Sequence, residues 1–289
     1  MGKSKIEWTK STWNPIVGCR KVSPGCANCY AETMAKRLKA MGVMKYCQGV
    51  VDENGWTGKT FFSASELHNF PRKKPTVIFV CSMGDLYHHS VEPAAIHSIY
   101  SIMAQYPQHT VIILTKRPER IVPVLYDSGY LQKGETLENV WHLTSVENQE
   151  WADRRIPELL KLKEYGDWKI GLSIEPLLGP VDLNNISVQI PNSIGIIGGT
   201  CLGQPNAHHF HPTNLSRDKS GIFQLIIGCE SGPKRRECKR EWILDLIEQG
   251  KEAGVPTFVK QVPINGKVSH DPAKWPENLR VCELAWAKE

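Results

Sequence analysis

Short β-branched apolar runs alternate with longer segments of helical spacing between residues 76 and 262, and this alternation strongly constrains the fold. The runs are almost continuously apolar, which is typical of strands buried on both faces of a parallel sheet. Their starting points lie roughly 30 residues apart, the length of one βα unit. One interval of 54 residues is longer and indicates an insertion. The pattern therefore predicts an α/β protein built from successive βα units.

With a first strand near the amino terminus, about seven strands are predicted. Right-handed crossovers would curl them into a partial or full (β/α) barrel of about six to seven parallel strands. A doubly wound open sheet is the alternative. We expect residues 1–289 to form a single domain, with an inserted loop at about 187–221 and a short C-terminal extension from about 263. The predicted strands are Thr12–Val17, Thr76–Cys81, Thr110–Thr115, Val140–Ser145, Trp168–Ile174, Ile222–Gly228 and Thr257–Val262.

Predicted helices lie between these strands, where they would cover the outside of the sheet. The last one ends at Gly254, shortly before Pro256, and glycine followed by proline is typical of a helix end. The predicted helices are Tyr30–Ala40, Glu92–Gln105, Pro118–Tyr126, Glu150–Lys163 and Arg240–Ala253.

Charged or hydroxyl-bearing residues follow nearly every predicted strand. In a (β/α) barrel the loops after the carboxyl ends of the strands build the active site. Capping of the next helix accounts for some of these serines and aspartates. Because so many strands end in this way, the pattern favours a polar active site at one rim of the sheet.

Three of the nine cysteines, Cys19, Cys26 and Cys29, lie within eleven residues of one another, between the first strand and the first helix. A structural zinc ion ordinarily takes four protein ligands, and the sequence has no second C-x2-C pair to supply the rest. An iron–sulfur cluster held by three cysteines leaves one iron open to a substrate or cofactor. The spacing therefore favours an iron–sulfur cluster over zinc or three unrelated buried thiols.

Short distinctive motifs occur along most of the chain. The amino-terminal ones are Trp13-Asn14-Pro15, Gly18-Cys19, Ser23-Pro24-Gly25-Cys26 and Asn28-Cys29-Tyr30-Ala31-Glu32. The later ones are 82–86, 114–120, 145–149, 174–181, 228–233 and 253–256. These motifs and their order resemble those of the phage-associated three-cysteine-motif family, a branch of the radical S-adenosylmethionine (SAM) superfamily. The chain departs from the usual C-x3-C-x2-C motif of the superfamily, because six residues separate Cys19 from Cys26.

The resemblance implies a barrel of the radical SAM type with a [4Fe-4S] cluster on Cys19, Cys26 and Cys29. It implies that SAM chelates the fourth iron and is cleaved reductively to methionine and a 5′-deoxyadenosyl radical, which abstracts hydrogen from a substrate. The electron would come from a donor such as flavodoxin or ferredoxin.

The resemblance also implies which residues meet SAM. Superfamily members hold the SAM amino group with backbone near the end of the second strand, the carboxylate with a basic residue, and the ribose with residues after the fourth strand. By position these residues are Ser82, Met83, Gly84 and Asp85, then Lys116 and Arg117, then Ser145, Glu147 and Asn148.

Three further residues at strand ends are candidate catalytic residues. Glu175 and Glu230 follow later strands and are expected to face the substrate, with ion pairs to Lys169, Lys260 or Arg117 as the alternative. Cys229 lies where a thiol would return a hydrogen atom to a product radical, although a small buried filler is the more common role of such a cysteine.

Runs of basic residues suggest a phosphorylated or polynucleotide substrate. They are Arg72-Lys73-Lys74, Arg117 with Arg120, Arg154-Arg155, and Lys234-Arg235-Arg236 with Lys239-Arg240. The phage setting of the family favours modification of DNA, and isomerisation of an amino-acid adduct on a thymine base is one concrete form. Such an enzyme would have to extrude its target base from the duplex. The stretch 208–211, in the predicted inserted loop, contains three histidines that suit a metal ion or a phosphate, although a solvated loop is the commoner case.

Two other functions remain open. One is a non-catalytic nucleic-acid-binding module with structural zinc on the three cysteines and His68 or Cys47. The other is a metal-dependent hydrolase, which would need several His and carboxylate ligands at the strand ends. The predicted strand ends contain few histidines, so this reading ranks last.

The amino-acid composition limits the classes of protein that these hypotheses can describe. A hydrophobic content of 41% and a net charge of +5 exclude a disordered chain. No apolar run approaches the roughly 18 residues of a membrane span, so no membrane partner is expected. The absence of a secretory leader and the odd number of cysteines predict a cytoplasmic protein, in the host cytoplasm if it is phage-encoded.

Overall fold

Seven parallel strands form the centre of the protein in a computed structural model that describes residues 2–4, 6–131, 136–190, 193–197 and 221–287. Neighbouring strands in the sheet are also neighbours along the chain. The α/β prediction is therefore confirmed. We label the strands β1 (Ser11–Trp13), β2 (Val77–Val80), β3 (Thr110–Thr115), β4 (Val140–Ser145), β5 (Lys169–Ile174), β6 (Ile222–Gly228) and β7 (Thr257–Ile264).

Antiparallel strands flank this parallel array at both edges. Gly2–Lys3 pairs with β1, and Lys267–Ser269 pairs with β7. Because β1 and β7 each take such a neighbour and no pairing joins them within the described ranges, the sheet is not closed into a barrel there. The strand order also lacks the reversal at which a doubly wound sheet switches direction. The doubly wound alternative is therefore wrong.

Five α-helices accompany the parallel strands in the described part of the chain. Four lie close to their predicted bounds because strong apolar periodicity and clear terminators define them. Pro118–Tyr126 is instead split into a 3-10 turn, Pro118–Arg120, and an α-helix. The α-helices are α1 (Tyr30–Ala40), α2 (Pro93–Gln105), α3 (Ile121–Asp127), α4 (Gln149–Leu160) and α5 (Arg240–Glu252).

Between β5 and β6 the structure describes an antiparallel hairpin instead of a helix. Its strands are Ile186–Ile190 and Ser193–Ile197, at the start of the predicted inserted loop. The three histidines in 208–211 lie outside the described residues. Two small antiparallel pairs occur between β1 and β2, Ile16–Val17 with Phe61–Phe62 and Val51–Asp52 with Gly55–Trp56.

The two faces of the sheet bury different side chains because successive residues of a strand point to opposite sides. On β3, Val111 and Ile113 join the large core formed with the helices, whereas Ile112 belongs to a separate cluster on the other face. That second cluster contains no helical residue; Trp8 and Trp286, from segments near the two chain ends, complete it. The indole N–H of Trp286 donates to the carbonyl of Trp8 at 3.3 Å.

None of the described helices could cross a membrane; the longest two have 13 residues.

Candidate functional site

A pocket of about 310 Å³ opens at the carboxyl ends of the parallel strands. Its base is formed by Trp8, Phe79 and Leu114, on the sheet face opposite the helices. Three polar residues line the pocket on this same face of the sheet: Lys116 after β3, Ser145 at the end of β4, and Glu175 after β5. Strand alternation thus directs the polar residues that follow β3 to β5 into one cavity.

All three clustered cysteines line this pocket. They belong to residues 18–29, which we call the cysteine loop. Asn14, which precedes the loop, contacts the segment after β2, since its Oδ1 accepts hydrogen bonds from Ser82 Oγ at 3.1 Å and from the Met83 amide at 3.0 Å. At the other end Cys29 is the N-cap of α1, and the hydroxyl of Tyr30 donates to the carbonyl of Ser82 at 2.8 Å.

Glu147 holds the cysteine loop against the end of β4. Its carboxylate is fully buried and accepts hydrogen bonds from Ser23 Oγ and from the amide of Gly25, both at 2.5 Å. Lys116 contacts the same carboxylate, and Arg155 Nη1 lies 3.2 Å from it. Burial alone would raise the pKa of Glu147, but these partners lower it below its usual value. The carboxylate is therefore an ionised anchor for the cysteine loop.

Arg117 forms a second anchor between strand ends. Its Nη1 lies 2.6 Å from Asp85 Oδ2 and 3.8 Å from Cys19 Sγ, and its Nη2 donates to the carbonyl of Arg20 at 2.9 Å. Asp85 also accepts a hydrogen bond from Thr115 Oγ1 at 2.8 Å. Arg117 and Asp85 are both nearly inaccessible to solvent. The guanidinium thus fixes Cys19 relative to the ends of β2 and β3.

The thiols of the cysteine loop differ in their ionisation. Burial, together with the charge of Asp85, raises the pKa of Cys19 to about 12. Burial also acts on Cys26, but Lys116 and hydrogen bonds from Val22 and Ser23 lower its pKa below the usual value. Since the thiolate is the form that binds metals, the surroundings of Cys26 favour ligation more than those of Cys19.

Glu175 and Glu230, the two candidate catalytic carboxylates, line the pocket and form ion pairs. Glu175 Oε1 lies 2.5 Å from Lys260 Nζ, and both side chains are partly buried. Glu230 contacts Arg236 and accepts a hydrogen bond from Asn28 Nδ2, in the cysteine loop, at 3.0 Å. Burial opposes ionisation of Glu230, but its hydrogen bonds lower the pKa below the usual value. Glu175 thus has one of the ion-pair partners that the alternative named, Lys260. Glu230 also forms an ion pair, but with Arg236, which was not among the predicted partners.

Cys229 follows β6, lines the pocket and is 1% exposed. Its Sγ lies 3.6 Å from the carbonyl of Gln261. The neighbouring thiol of Cys238 and burial both raise its pKa above the usual range. Cys229 is therefore a neutral thiol at the cavity wall.

The cysteine loop supplies the soft donors that an iron–sulfur cluster takes. All three thiols border one cavity, beside the cation of Lys116. Among the described residues, however, no three His, Cys, Asp or Glu side chains stand together in an arrangement ready to hold a metal ion. The donor chemistry fits a three-cysteine cluster, and the loop would have to bring the thiols closer together on binding it.

Residues 3–275 match the profile of one protein family, described as protein of unknown function (DUF5131). The chain belongs to this family. No curated protein and no solved structure matches the chain significantly.

Most of the residues proposed from sequence come together. Twelve of the fifteen line the pocket, and the three that do not are Met83, Glu147 and Asn148. Met83 is buried under α1, with Ala31 and Ala35. Asn148 is the N-cap of α4, where its side chain accepts a hydrogen bond from the amide of Trp151 at 3.2 Å. That Glu147 and Asn148 contact the ribose of SAM stays a prediction. In the structure, both side chains form hydrogen bonds with other groups of the protein.

The pocket also contains residues that the sequence did not single out as site residues. Thr115 and Ser173 stand within predicted strands, where their alternation with apolar residues was a usable signal of a polar face. Asn28 and Tyr30 lie in the cysteine motif itself. Lys260 was predicted only as one alternative ion-pair partner of Glu175, and the pair forms because β7 lies beside β6, which in turn lies beside β5.

Proposed function

We propose that this protein is a radical SAM enzyme whose cysteine loop holds a [4Fe-4S] cluster through Cys19, Cys26 and Cys29. The single observation that carries the proposal is that these thiols line one pocket at the carboxyl ends of a chain-ordered parallel sheet. That strand order is the order of an incomplete (β/α) barrel, and the barrel-like curvature of the radical SAM fold is part of the proposal. When bound, the cluster and SAM would supply a 5′-deoxyadenosyl radical that abstracts hydrogen from the substrate.

Residues around the pocket have two proposed roles: some anchor the cysteine loop, and one supplies a positive charge for SAM. Glu147 and Arg117 hold the cysteine loop, the first through Ser23 and Gly25 and the second through Arg20 and Cys19. Lys116 pairs with Glu147, lies close enough to Cys26 to lower its pKa, and borders the pocket. A basic residue at this position suits the carboxylate of SAM, as the resemblance implies.

The part of the pocket formed by residues after β5, β6 and in β7 is suited to the substrate. Glu175 and Lys260 form an ion pair at the cavity surface, and Cys229 adds a neutral thiol. Such a pair supplies a proton donor and acceptor at fixed positions, while Trp8 and Phe79 form an apolar floor. The substrate we propose is a base in DNA, in line with the predicted modification of a thymine adduct.

The test is anaerobic reconstitution of the purified protein with iron and sulfide, followed by reduction in the presence of SAM. We expect a brown protein that binds about four irons per chain and forms 5′-deoxyadenosine only when a reductant is added. Flavodoxin or ferredoxin should replace the chemical reductant.

Cys26→Ala should abolish both colour and 5′-deoxyadenosine formation. Cys47→Ala is the matched control, because Cys47 is exposed and lies outside the pocket; it should behave like the wild type. A colourless protein that purifies with zinc and leaves SAM intact would overturn the proposal in favour of the zinc-binding module.

A further inference from the structure

A second, larger cavity adjoins the pocket on the outer side of β6 and β7. It has a volume of about 1100 Å³, slightly above the range of about 300–1,000 Å³ that is typical of small-molecule pockets. Three segments form it: the loop after β6, the start of α5, and the turn between β7 and the antiparallel edge strand. We call it the basic groove; its cationic residues are Arg235, Arg236, Lys239, Arg240 and Lys267.

Backbone carbonyls hold two of these cations in place. Arg235 Nη2 donates to the carbonyl of Gly266 at 2.8 Å, and Arg240 Nε donates to the carbonyl of Pro263 at 2.9 Å. Such contacts fix the stem of the side chain and leave other guanidinium N–H groups available. Preorganised guanidinium groups of this kind suit phosphate oxygens, which they bind with two parallel hydrogen bonds.

Positive charge predominates in the basic groove. Glu237 and Glu241 are its acidic residues, against the five cations. Lys239 and Lys267 are exposed, and neither forms an ion pair with a described residue. The five cations come from three separate segments that border one cavity, and a polynucleotide offers a phosphate to more than one of them.

The basic groove meets the pocket at one point. Cys229 lines both cavities, and the ion pair of Glu230 with Arg236 stands between them, with Glu230 on the pocket side and Arg236 on the groove side. The two cavities are therefore adjacent, and Cys229 and this ion pair form the wall between them.

We propose that the basic groove binds the sugar–phosphate backbone of a polynucleotide and presents one of its bases to the pocket past Cys229 and Glu230. This inference rests on the proposed function for the fate of the base, but the binding itself does not require SAM chemistry. Phosphate contacts position a nucleic acid without reading its sequence, and enzymes that modify a base extrude it from the duplex into the active site.

Fluorescence anisotropy of a labelled DNA oligonucleotide of about 16 nucleotides, single-stranded and as a duplex, tests the proposal on the full chain. The double variant Lys239→Gln with Lys267→Gln removes two exposed charges of the groove. Each lost phosphate contact makes the negative slope of log Kobs against log salt shallower by about 0.9 on duplex and 0.7 on single strands. We expect weaker binding and a slope that is shallower by about 1.8 or 1.4, respectively.

The matched control is Lys73→Gln with Lys74→Gln. These lysines are also exposed but precede β2, at the opposite end of the strands, so DNA binding should be unchanged. Equal weakening by both double variants, undetectable DNA binding, or complete competition by inorganic phosphate at concentrations matched in ionic strength would each overturn the proposal.

Reductant-dependent cleavage of SAM, measured in the same reconstituted samples without DNA, separates the two proposals. Groove-dependent DNA binding by a protein that leaves SAM intact would refute the radical SAM function and retain the groove. Cleavage of SAM by a protein that does not bind DNA would refute the groove proposal and retain the radical SAM function.

Discussion

Glu147 and Gly25 are 122 residues apart in the chain, yet the carboxylate of Glu147 accepts a hydrogen bond from the amide of Gly25 at 2.5 Å. This contact attaches the cysteine loop to the end of β4. The same carboxylate neutralises two cations, Lys116 and Arg155. One fully buried side chain therefore links the position of the cysteines to the charge balance of the pocket.

Replacing Glu147 by Gln should destabilise the protein by about 3–5 kcal/mol, because it leaves two cations without their buried partner. Glu150→Gln is the control, since Glu150 pairs with Arg154 on the exposed surface of α4 and such pairs contribute only about 0.3–0.5 kcal/mol. Denaturant unfolding of the metal-free proteins gives both free energies. Equal stability of the two variants would refute the anchoring role of Glu147.

Gly25→Ala should reduce the iron bound on reconstitution while the rest of the fold persists. An added Cβ would lie 2.3 Å from Glu147 Cδ, so the cysteine loop has to move away from β4, at a cost of about 1–3 kcal/mol. Gly179→Ala is the control, because its Cβ would meet its nearest neighbour, Asn148 Cβ, at an ordinary 3.5 Å. The measurement is iron per chain after anaerobic reconstitution. Wild-type iron content in Gly25→Ala would contradict the prediction.

The secondary structure was largely predictable because strong local signals define it. The apolar runs of β3, β4 and β6 coincide with the predicted strands, and α1 has its predicted bounds. Polar residues at strand ends were likewise a reliable guide to the pocket, because parallel strands bring their carboxyl ends to one edge.

Long-range partners were not predictable in the same way. The contact of Glu147 with Ser23 joins residues 124 positions apart, and no local pattern encodes it. Closure of the sheet into a barrel requires β1 to pair with β7. In the structure, the free edges of β1 and β7 instead pair with short antiparallel strands. Nothing in the sequence indicated that Trp8 and Trp286, near the two chain ends, contact each other on the sheet.

Trp286→Ala should destabilise the protein by about 3–5 kcal/mol, the usual cost of truncating a large buried aromatic residue. Trp286 packs edge-on against Trp141 on the sheet face below the pocket, with ring centroids 5.1 Å apart. Tyr126→Ala is the control, since Tyr126 is 69% exposed and its loss should change stability by no more than about 0.5 kcal/mol. Thermal and denaturant unfolding measure the difference. A small effect at Trp286 would mean that the carboxyl-terminal segment does not cover this face in solution.

Glu175→Gln should slow conversion of the DNA substrate by the proposed enzyme without slowing cleavage of SAM to 5′-deoxyadenosine. The substitution keeps the shape of the side chain but removes its charge beside Lys260, and loss of a positioned acid or base typically slows turnover by about 10²–10⁴. Formation of 5′-deoxyadenosine without substrate should stay near the wild-type level, because Glu175 pairs with Lys260 and is not one of the residues that anchor the cysteine loop. Mass spectrometry of DNA products gives the turnover, and Glu248→Gln, at an exposed ion pair of α5, is the control. Equal loss of DNA conversion and of SAM cleavage would place Glu175 in SAM binding instead.

Acid should destabilise the protein through His142, which is fully buried on β4 and hydrogen-bonded through Nε2 to the hydroxyl of Tyr100 at 2.7 Å. Burial lowers the pKa of His142 to about 3, whereas in the unfolded chain it is about 6.5. Between these values the unfolded state binds the additional proton, so the stability that neutral His142 preserves is complete above pH ~6.5 and falls as the pH drops toward ~3. The slope approaches about 1.4 kcal/mol per pH unit.

His142→Gln removes the titrating group and should flatten the dependence of unfolding free energy on pH between ~6.5 and ~4 relative to the wild type. His68→Gln is the control at an exposed histidine and should leave the slope unchanged. The comparison uses slopes rather than absolute stabilities, so a general cost of placing Gln in the core does not affect it. Parallel pH profiles of the wild type and His142→Gln would show that His142 does not remain buried and neutral in the folded protein.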